Sequence, residues 1–463
     1  MPAQPGEKPL ILHWIWSLSL GGDAKNLCAL AAEQSKWGRV VIATRLQDQG
    51  VRAKELAGTP DVELVGGIDG PEQVESLCAK IGKVPLALIM HRNGRPDPVE
   101  SRVLESFHRL MPCFEFSTFG RVDPATDELW AGHFFPSRSC LLQYAARRNV
   151  PVAELKRHWA VGYAVDLAAR IEPEERQTAR QKLGLAPADF VGVRLQRPDL
   201  RKWDPLPVLA VRRLLDRGER IRLIVQAPPP ERIGWLKSML GDAAIILAAT
   251  DDAAVLRTSM AASDCFFNYS HIGETFGLAM VEAMSCGIPP LTNSTPHMDN
   301  AQIEICSHGE TGLVANSVEA LCAALERLIK DCDYRYSLGA AAREFVARTF
   351  SAPVVEQRVR RHLRDLEISA AKPEVSEEPQ VSEVTQVSAS DNYRMDGAWL
   401  NDLPARLLRE QSFKARMGRQ LLDAQLLRFL RAKDTFDYAA GIGPSEILSA
   451  IVRRVRRSSL KRD

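Results

Sequence analysis

A regular alternation of short apolar runs with helical patterns is the feature of this sequence that most constrains its fold. In the N-terminal part, the runs typical of buried strands are residues 10–16, 39–44, 86–90, 113–117 and 130–135. A helical pattern covers residues 23–36, and further helices are expected between the later runs. Because parallel strands need helical crossovers, this alternation predicts a Rossmann-like α/β domain whose sheet is covered on both faces.

A second series of the same kind begins near Ile171. Its predicted strands are residues 190–195, 221–226, 244–247, 264–268 and 290–292, and its predicted helices are residues 203–215, 231–240, 253–260 and 277–285. Further helical patterns cover residues 318–330, 333–348 and 353–367. We therefore predict α/β domains over residues 1–168 and 169–350 and a closing helix over 351–370. Ligands are expected in a cleft between the carboxyl ends of the two sets of strands.

Composition argues against several classes of partner. The 463 residues are 45% hydrophobic and 25% charged, and a net charge of +2 gives no strong field for nucleic acid. The apolar run over residues 9–20 is too short to span a bilayer and lacks a cleavage-type ending. Nine cysteines without a Cys-x-x-Cys pair indicate reduced thiols rather than disulfides or a zinc site. We therefore expect a cytoplasmic protein.

The composition changes after residue 370. Residues 371–390 are rich in Glu, Ser, Val, Pro and Gln and lack aromatic residues, which predicts a flexible linker. Residues 391–463 form a basic tail with helical periodicity over 403–430 and 446–460. Its last helix could contact a protein partner or the acidic inner face of a membrane. We favour a small helical region with solvated arginines, because this helix has neither Trp nor Phe.

The stretch Glu274-Thr-Phe-Gly-Leu-Ala-Met-Val-Glu282 places two carboxylates around a predicted helix start. A helix N-terminus offers unpaired N–H groups and the positive end of the helix dipole, so it suits a phosphate. Glu274 would reach a ligand from the loop, and Glu282 from the second turn. These positions suit a nucleotide sugar, which has a diphosphate in its middle and hydroxyls at both ends. From the residues alone, the two acids could also form an acid–base pair.

The longer stretch from Asn268 to Pro289 resembles the donor-site signature of retaining glycosyltransferases of family 4, which have the GT-B fold. The other pieces that resemble this family are Leu18-Ser-Leu-Gly-Gly22, Gly309-Glu-Thr-Gly-Leu-Val314, Leu338-Gly-Ala-Ala-Ala-Arg343 and Phe350-Ser351. The resemblance covers about residues 10–367. It implies two Rossmann-like domains that face each other across a cleft. It also implies transfer of a hexose-type sugar from a nucleoside diphosphate to an acceptor hydroxyl, with retention of anomeric configuration.

The resemblance further implies that two cations in the stretch Gln196-Arg-Pro-Asp-Leu-Arg-Lys202 bind the donor diphosphate. Arg197 and Lys202 have the family's spacing of five residues. An arginine offers a planar fork for two oxygens, and a lysine offers a mobile point charge. The family commonly has a glycine where Gln196 stands. Arg201 and Arg194 are rival cations for the same role.

The same resemblance assigns roles around the helix start. The backbone N–H groups that would bind the phosphates are those of Thr275, Phe276, Gly277 and Leu278. Gly277 would let the backbone approach closely because it has no side chain. Glu282 would accept hydrogen bonds from the ribose, and Glu274 would accept them from the transferred sugar.

In the N-terminal half, Gly21 and Gly22 lie between a predicted strand and a helix, where they could line the diphosphate or the acceptor sugar. His91 closes the predicted strand over residues 86–90, and the family has a histidine at a comparable strand end near the transferred sugar. This histidine could hydrogen-bond a sugar hydroxyl or shuttle a proton. An ordinary loop histidine is an equal alternative. His13 is expected to pack within its strand.

We expect neither a metal nor another cofactor, because the sequence has no Asp-x-Asp after a strand. Asp251-Asp252 is better explained as a helix cap. The charge of the leaving diphosphate would then be met by Arg197, Lys202 and the helix N-terminus. The expected acceptor is a saccharide or lipid-linked acceptor of surface polysaccharide or glycoconjugate synthesis. A nucleotide-sugar epimerase of the same fold and a noncatalytic subunit of a glycosylation assembly remain alternatives.

Overall fold

The structure, a computed structural model, describes residues 8–370 with the exception of Lys83, Asp251 and His297. Within these residues the chain forms two parallel β-sheets with helices packed against them. The predicted linker at 371–390 and the predicted basic tail at 391–463 lie outside the described residues.

The first sheet lies in the N-terminal part of the chain. Its strands are β1 (Leu10–Ile15), β2 (Arg39–Thr44), β3 (Val62–Val65), β4 (Ala87–Arg92), β5 (Cys113–Ser117), β6 (Gly132–Phe135) and β7 (His158–Ala160). Its helices are α1 (Gly22–Gln34), α2 (Pro71–Ile81), α3 (Pro98–His108) and α4 (Arg138–Arg148). The strands pair in parallel in the order β3-β2-β1-β4-β5-β6-β7.

The second sheet follows in the chain. Its strands are β8 (Phe190–Leu195), β9 (Ile221–Gln226), β10 (Ala244–Leu247), β11 (Cys265–Asn268), β12 (Pro290–Thr292) and β13 (Leu313–Val314). Its helices are α5 (Pro173–Lys182), α6 (Leu206–Asp216), α7 (Pro230–Leu240), α8 (Ala253–Ala261), α9 (Leu278–Ser285), α10 (Gln302–Ile305), α11 (Val318–Lys330) and α12 (Cys332–Phe350). The strands pair in parallel in the order β10-β9-β8-β11-β12-β13.

Both sheets reverse their strand order at one point, and these two points position the candidate site. In the first sheet the chain runs outward from β1 to β3 and then returns to β4 beside β1. In the second sheet it returns in the same way from β10 to β11 beside β8. A ligand crevice forms at such a switch point, outside the carboxyl ends of the strands. The residues singled out by the sequence lie at the end of β4 and in the loops and helix starts that follow β1, β8 and β11.

The central strands formed as predicted because their apolar runs are buried on both faces. Strands β1, β4, β5 and β8 are buried at every residue. The sequence did not predict the edge strands β3 and β7, which are short and largely half-buried. The predicted end of β4 was wrong, since this strand continues through His91 to Arg92. The predicted start of α9 was also one residue early, because Gly277 caps the helix in a left-handed conformation.

A last helix, α13 (Ala352–Ala370), returns from the second sheet to the first. The Trp37 indole N–H donates to the Glu356 carboxylate at 2.8 Å. The His362 ring stacks on Trp159 of β7 with ring centroids 3.9 Å apart. The helix predicted over 353–367 is therefore present, and it packs against the N-terminal sheet. The predicted domain limits at 168/169 and 350/351 stay predictions.

The part of the chain that the structure describes contains no helix long and apolar enough to cross a membrane.

Candidate donor and acceptor cleft

The loop before α9 is shaped by two glycines with positive φ. Gly277, at φ 91°, forms the N-cap of α9, and Gly273 has φ 64°. A Cβ at Gly273 would collide with the Asp299 carbonyl and the Thr295 side chain, so only glycine fits there. Among the described residues, the N–H groups of Thr275, Phe276 and Gly277 have no hydrogen-bond acceptor. These free donors precede the positive end of the α9 dipole, and together they suit an anion.

Glu274 is held in place just before these free N–H groups. Its backbone N–H donates to the Gln302 side chain at 3.0 Å, and its carbonyl accepts from the Ala301 N–H at 2.9 Å. Its carboxylate lies 2.5 Å from the Lys202 ammonium, and both side chains are largely buried. The structure thus brings together a predicted phosphate ligand and a predicted sugar ligand from two separate loops.

Glu282 pairs with a residue that the sequence reasoning missed. On α9, its carboxylate forms an ion pair with the ammonium of Lys25 on α1. This pair joins α1, which follows β1, to α9, which follows β11. The only signal in the sequence was the position of Lys25, one turn after Gly22 on the predicted helix.

The structure separates the four cations of the 194–202 region by their surroundings. Arg194 is fully buried and donates to the carbonyls of Asp204 at 2.7 Å, Tyr269 at 2.8 Å and Lys202 at 3.0 Å. Burial lowers the pKa of this guanidinium to about 9. Arg201 pairs with Asp199 at 2.9 Å. Arg194 and Arg201 therefore hold the loop itself together.

Arg197 differs from both of these arginines. It is exposed, and its guanidinium has no ion-pair or hydrogen-bond partner among the described residues. Its carbonyl accepts from the buried Trp203 indole at 3.0 Å, which fixes the backbone at this point. Arg197 and Lys202 are thus the two residues of the loop whose side chains remain suited to a ligand.

Gly22 lies where the two halves of the molecule meet. A Cβ at Gly22 would lie 3.6 Å from Leu278 of α9 and 3.7 Å from the Tyr163 ring. Phe276 is buried beside this point, between the rings of Tyr163 and Phe350 at centroid distances of 5.1 and 4.9 Å. The Phe276 side chain therefore belongs to the core, and only its backbone faces the candidate site. Gly21 is the N-cap of α1.

His91 occupies the carboxyl end of β4 as part of a buried polar chain. Its ring is stacked on Phe116 with centroids 5.3 Å apart. Its Nδ1 lies 3.2 Å from the Asp23 carboxylate, and its Nε2 lies 3.1 Å from Nδ1 of His13. His91 is 2% exposed. His13 packs within β1 as predicted, but it is also hydrogen-bonded.

Two further polar contacts connect the halves beside the site. The Glu304 carboxylate accepts the N–H groups of Arg138 at 3.0 Å and Ser139 at 2.5 Å, at the start of α4. The Gln143 amide donates to the Asp299 carboxylate at 3.0 Å, and burial raises the pKa of this acid. These contacts place α4 of the first sheet directly against the loop that follows β12.

The sequence of the second half matches a known family model. Residues 206–331 match the model of the glycosyl transferases group 1. This stretch begins at α6, ends just after α11, and includes both Glu274 and Glu282, whereas Arg197 and Lys202 precede it. The chain matches no curated protein.

Solved structures of the same architecture include the following three. A glycosyltransferase from Rickettsia africae has a TM-score of 0.64 at 13% identity, covering 78% of this chain and 99% of that one. HepE from Anabaena, in complex with UDP and glucose, has a TM-score of 0.60 at 15% identity, covering 77% and 100%. A candidate UDP-N-acetylglucosamine 2-epimerase from Listeria monocytogenes has a TM-score of 0.52 at 14% identity, covering 79% and 98%. The fold is GT-B.

In GT-B terms, the candidate cleft has a C-terminal wall and an N-terminal wall. We define the C-terminal wall as Arg197, Lys202, Glu274, residues 275–278 and Glu282. The N-terminal wall consists of residues 21–25, His91 and Tyr163. The C-terminal wall carries Arg197, Lys202 and the free N–H groups, and the N-terminal wall carries Lys25, the Asp23 carboxylate and a buried polar chain.

No cluster of three His, Cys, Asp or Glu side chains suited to a metal ion occurs among the residues described. Asp252 caps α8 by accepting the Ala254 N–H at 2.8 Å, so the helix cap predicted at Asp251-Asp252 is present, whereas the first turn of α8 has no acid. Asp251 lies outside the described residues.

Proposed function

We propose that this chain is a retaining glycosyltransferase that moves a hexose-type sugar from a nucleoside diphosphate to an acceptor hydroxyl. The observation that carries the proposal is the start of α9. Free N–H groups there lie between two carboxylates, each of which has a lysine partner on a different element. A nucleotide sugar fits this order of groups, with its diphosphate at the helix start and hydroxyls on both sides. The family match over residues 206–331 supports the same reading.

In this proposal the C-terminal wall binds the donor. The diphosphate lies against the N–H groups of residues 275–278, with Arg197 and Lys202 as its cations. Glu282 accepts hydrogen bonds from the ribose, and Glu274 accepts them from the transferred sugar. Lys202 then contacts both Glu274 and the diphosphate, which places the positive charge next to the bond that breaks.

The proposed reaction needs no cofactor beyond the donor itself. As the bond to the sugar breaks, negative charge develops on the diphosphate oxygen, and fixed donors stabilise it without reorganising. The acceptor hydroxyl attacks from the same face of the sugar, and the departing phosphate takes its proton. Gly22 and the N-terminal wall close over the donor and limit the access of water, so that hydrolysis is slower than transfer to the acceptor.

We further propose a cytoplasmic enzyme of surface polysaccharide or glycoconjugate synthesis, with a saccharide or lipid-linked acceptor. HepE with UDP and glucose, a structure of the same fold, makes UDP-glucose the first donor to test. The predicted basic tail at 391–463 is a candidate contact for a membrane or a protein partner.

A thermal-shift panel of UDP, GDP and ADP tests the donor site. The cognate diphosphate must raise the melting temperature, because it binds only the folded state. Lys202→Ala and Glu282→Ala should abolish this shift, and Lys237→Ala, an exposed lysine on α7, should keep it. Full stabilisation of both site variants would refute the site assignment.

Product analysis with a nucleotide sugar then separates the reaction classes. A transferase should release nucleoside diphosphate faster when a suitable acceptor is added. An epimerase of the same fold would change the sugar without any acceptor, and a noncatalytic subunit would bind the nucleotide without turnover.

A further inference from the structure

Both ring nitrogens of His91 are already engaged inside the protein. Nδ1 faces the Asp23 carboxylate at 3.2 Å, and Nε2 faces Nδ1 of His13 at 3.1 Å. The other nitrogen of His13 lies 2.7 Å from the Gln34 side chain. With 2% of its surface exposed, His91 has no nitrogen left to offer a sugar hydroxyl. The chain of hydrogen bonds therefore runs from Gln34 through two histidines to Asp23.

The inner end of this chain is electrically neutral. His13 is fully buried, and burial lowers the pKa of its imidazole to about 3, with a further contribution from His91. A neutral imidazole has a single N–H, so His13 donates either to Gln34 or to His91. When His13 donates to His91, a neutral His91 carries its proton on the nitrogen that faces Asp23 and donates it to the carboxylate. When His13 donates to Gln34 instead, His91 must donate to His13, and it reaches Asp23 with a second N–H only if its ring carries both protons. The two buried histidines thus orient the Asp23 carboxylate from the protein interior.

Asp23 is the end of the chain that reaches the cleft. It lies in the first turn of α1, directly after Gly22, which faces Leu278 of α9. Its side chain is 21% exposed. Oδ1 is bound to His91, and Oδ2 has no hydrogen-bond partner among the described residues. Tyr163 closes this corner, and burial together with the charge of Asp23 raises the pKa of its hydroxyl.

We propose that Asp23 contacts the acceptor and, in the bound complex, accepts a hydrogen bond from its attacking hydroxyl before that proton passes to the departing phosphate, with His91 and His13 as positioning residues. This inference rests on the proposed glycosyltransferase function. A carboxylate repels a diphosphate, so Asp23 does not suit the charged part of the donor. The groups assigned to the donor all lie on the C-terminal wall, whereas Asp23 and its supporting chain belong entirely to the first sheet. A neutral hydroxyl that enters from the N-terminal side matches its free oxygen.

The test measures nucleoside diphosphate release from UDP-glucose, GDP-mannose and ADP-glucose, with water as the acceptor. Asp23→Asn should lower the release rate about tenfold or more, the effect of losing a hydrogen bond to a charged group. The affinity for the bare diphosphate should stay within about twofold. Glu72→Gln is the matched control, because Glu72 is an exposed acid in the first turn of α2. This control should match the wild type in both measurements.

Each other outcome has a definite meaning. An unchanged release rate in Asp23→Asn overturns the inference. So does an equal loss of diphosphate binding, which would make Asp23 a donor-site or folding residue. A selective loss of affinity for the nucleotide sugar over its diphosphate also overturns it, in favour of a contact with the transferred sugar. If the wild type neither binds a diphosphate nor releases one, the proposed function itself fails.

Variants of His91 test the positioning role. His91→Asn keeps an N–H that can donate to Asp23, whereas His91→Leu removes it. We expect release to fall strongly in the leucine variant and to recover in the asparagine variant, with diphosphate affinity unchanged in both. Equal release rates in the two variants would contradict the positioning role, even if both proteins lose stability.

Discussion

The two walls of the cleft use polar groups in opposite ways. On the C-terminal wall, charged side chains come from the loop after β8, the loop before α9 and α9 itself, and Lys202 meets Glu274 there. On the N-terminal wall, the polar groups of His13 and His91 are buried in strands, and their chain of hydrogen bonds reaches the cleft through Asp23. The first arrangement suits a charged ligand that replaces existing ion pairs with its own contacts. The second suits a single fixed hydrogen bond. Four predictions can break or sharpen this contrast.

The largest effect is expected on the C-terminal wall. Lys202→Ala should weaken binding of the cognate nucleoside diphosphate roughly 100-fold, since it removes a cation worth about 3 kcal/mol and leaves Glu274 to repel the phosphates. Titration calorimetry measures this. Arg201→Ala is the control, because Arg201 is exposed and paired with Asp199. If both variants lose the same affinity, the loop contributes only general positive charge.

The next-largest effect is a loss of stability at low pH, caused by His13 of the N-terminal wall. The pKa of His13 in the folded state is about 3, below the ordinary value of 6.5. As the pH falls, His13 therefore takes up a proton in the unfolded chain before it does so in the folded chain. The contribution of His13 to the free energy of unfolding is complete above pH 6.5 and decreases as the pH drops toward 3. Each pH unit within that window removes about 1.4 kcal/mol.

Urea unfolding at pH 7.5 and 5 measures this acid effect. Between pH 7.5 and 5, the free energy of unfolding of His13→Gln should fall by about 2 kcal/mol less than that of the wild type. His308→Gln is the control, as this histidine lies in an exposed turn before β13. Identical pH slopes for wild type and His13→Gln would show that His13 is not held neutral.

A smaller effect is expected where the walls meet. Lys25→Met breaks the ion pair with Glu282, and because both side chains are partly exposed, it should lower the free energy of unfolding by about 1 kcal/mol or less. Lys36→Met is the control, since Lys36, just after α1, pairs with Glu33 of that helix and has no ion pair with another element among the described residues. Chemical denaturation that shows no difference between the two variants would mean that the Lys25 pair does not form in solution.

The smallest effect is expected from the tail. Deletion of residues 391–463 should leave nucleoside diphosphate binding unchanged, because the residues of both walls lie between Gly21 and Glu282. Calorimetry on the shortened chain checks this. Lost binding would show that the tail belongs to the core.

The contrast between the walls also explains which residues could be predicted. Arg197, Lys202, Glu274 and Glu282 form local patterns of charge around a glycine and a helix start, so their spacing in the chain was informative. The partners of these residues were not predictable. Lys25 and Glu282 are far apart in sequence, and nothing local distinguishes Lys25 from other helix lysines.

The residues on the N-terminal wall illustrate the limit. His13 and His91 stand in apolar strands, where a histidine is compatible with packing, a ligand or a hydrogen bond. Their pairing depends on the parallel register of β1 and β4, which places Ile15 opposite His91 and His13 opposite Ile89. In the sequence, Asp23 resembles an ordinary first-turn acid. Only the fold shows that it lies beside His91.

The sequence by itself determined two parallel α/β layers and a helix start suited to a phosphate, because both follow from local periodicity and from glycines in backbone conformations that other residues rarely adopt. Only the tertiary structure decided which cation remains free, which lysine meets Glu282, and which acid ends the histidine chain. These depend on the order of strands and on the approach of two sheets. Such long-range geometry is fixed by the packing of the whole core, and no short stretch of residues encodes it.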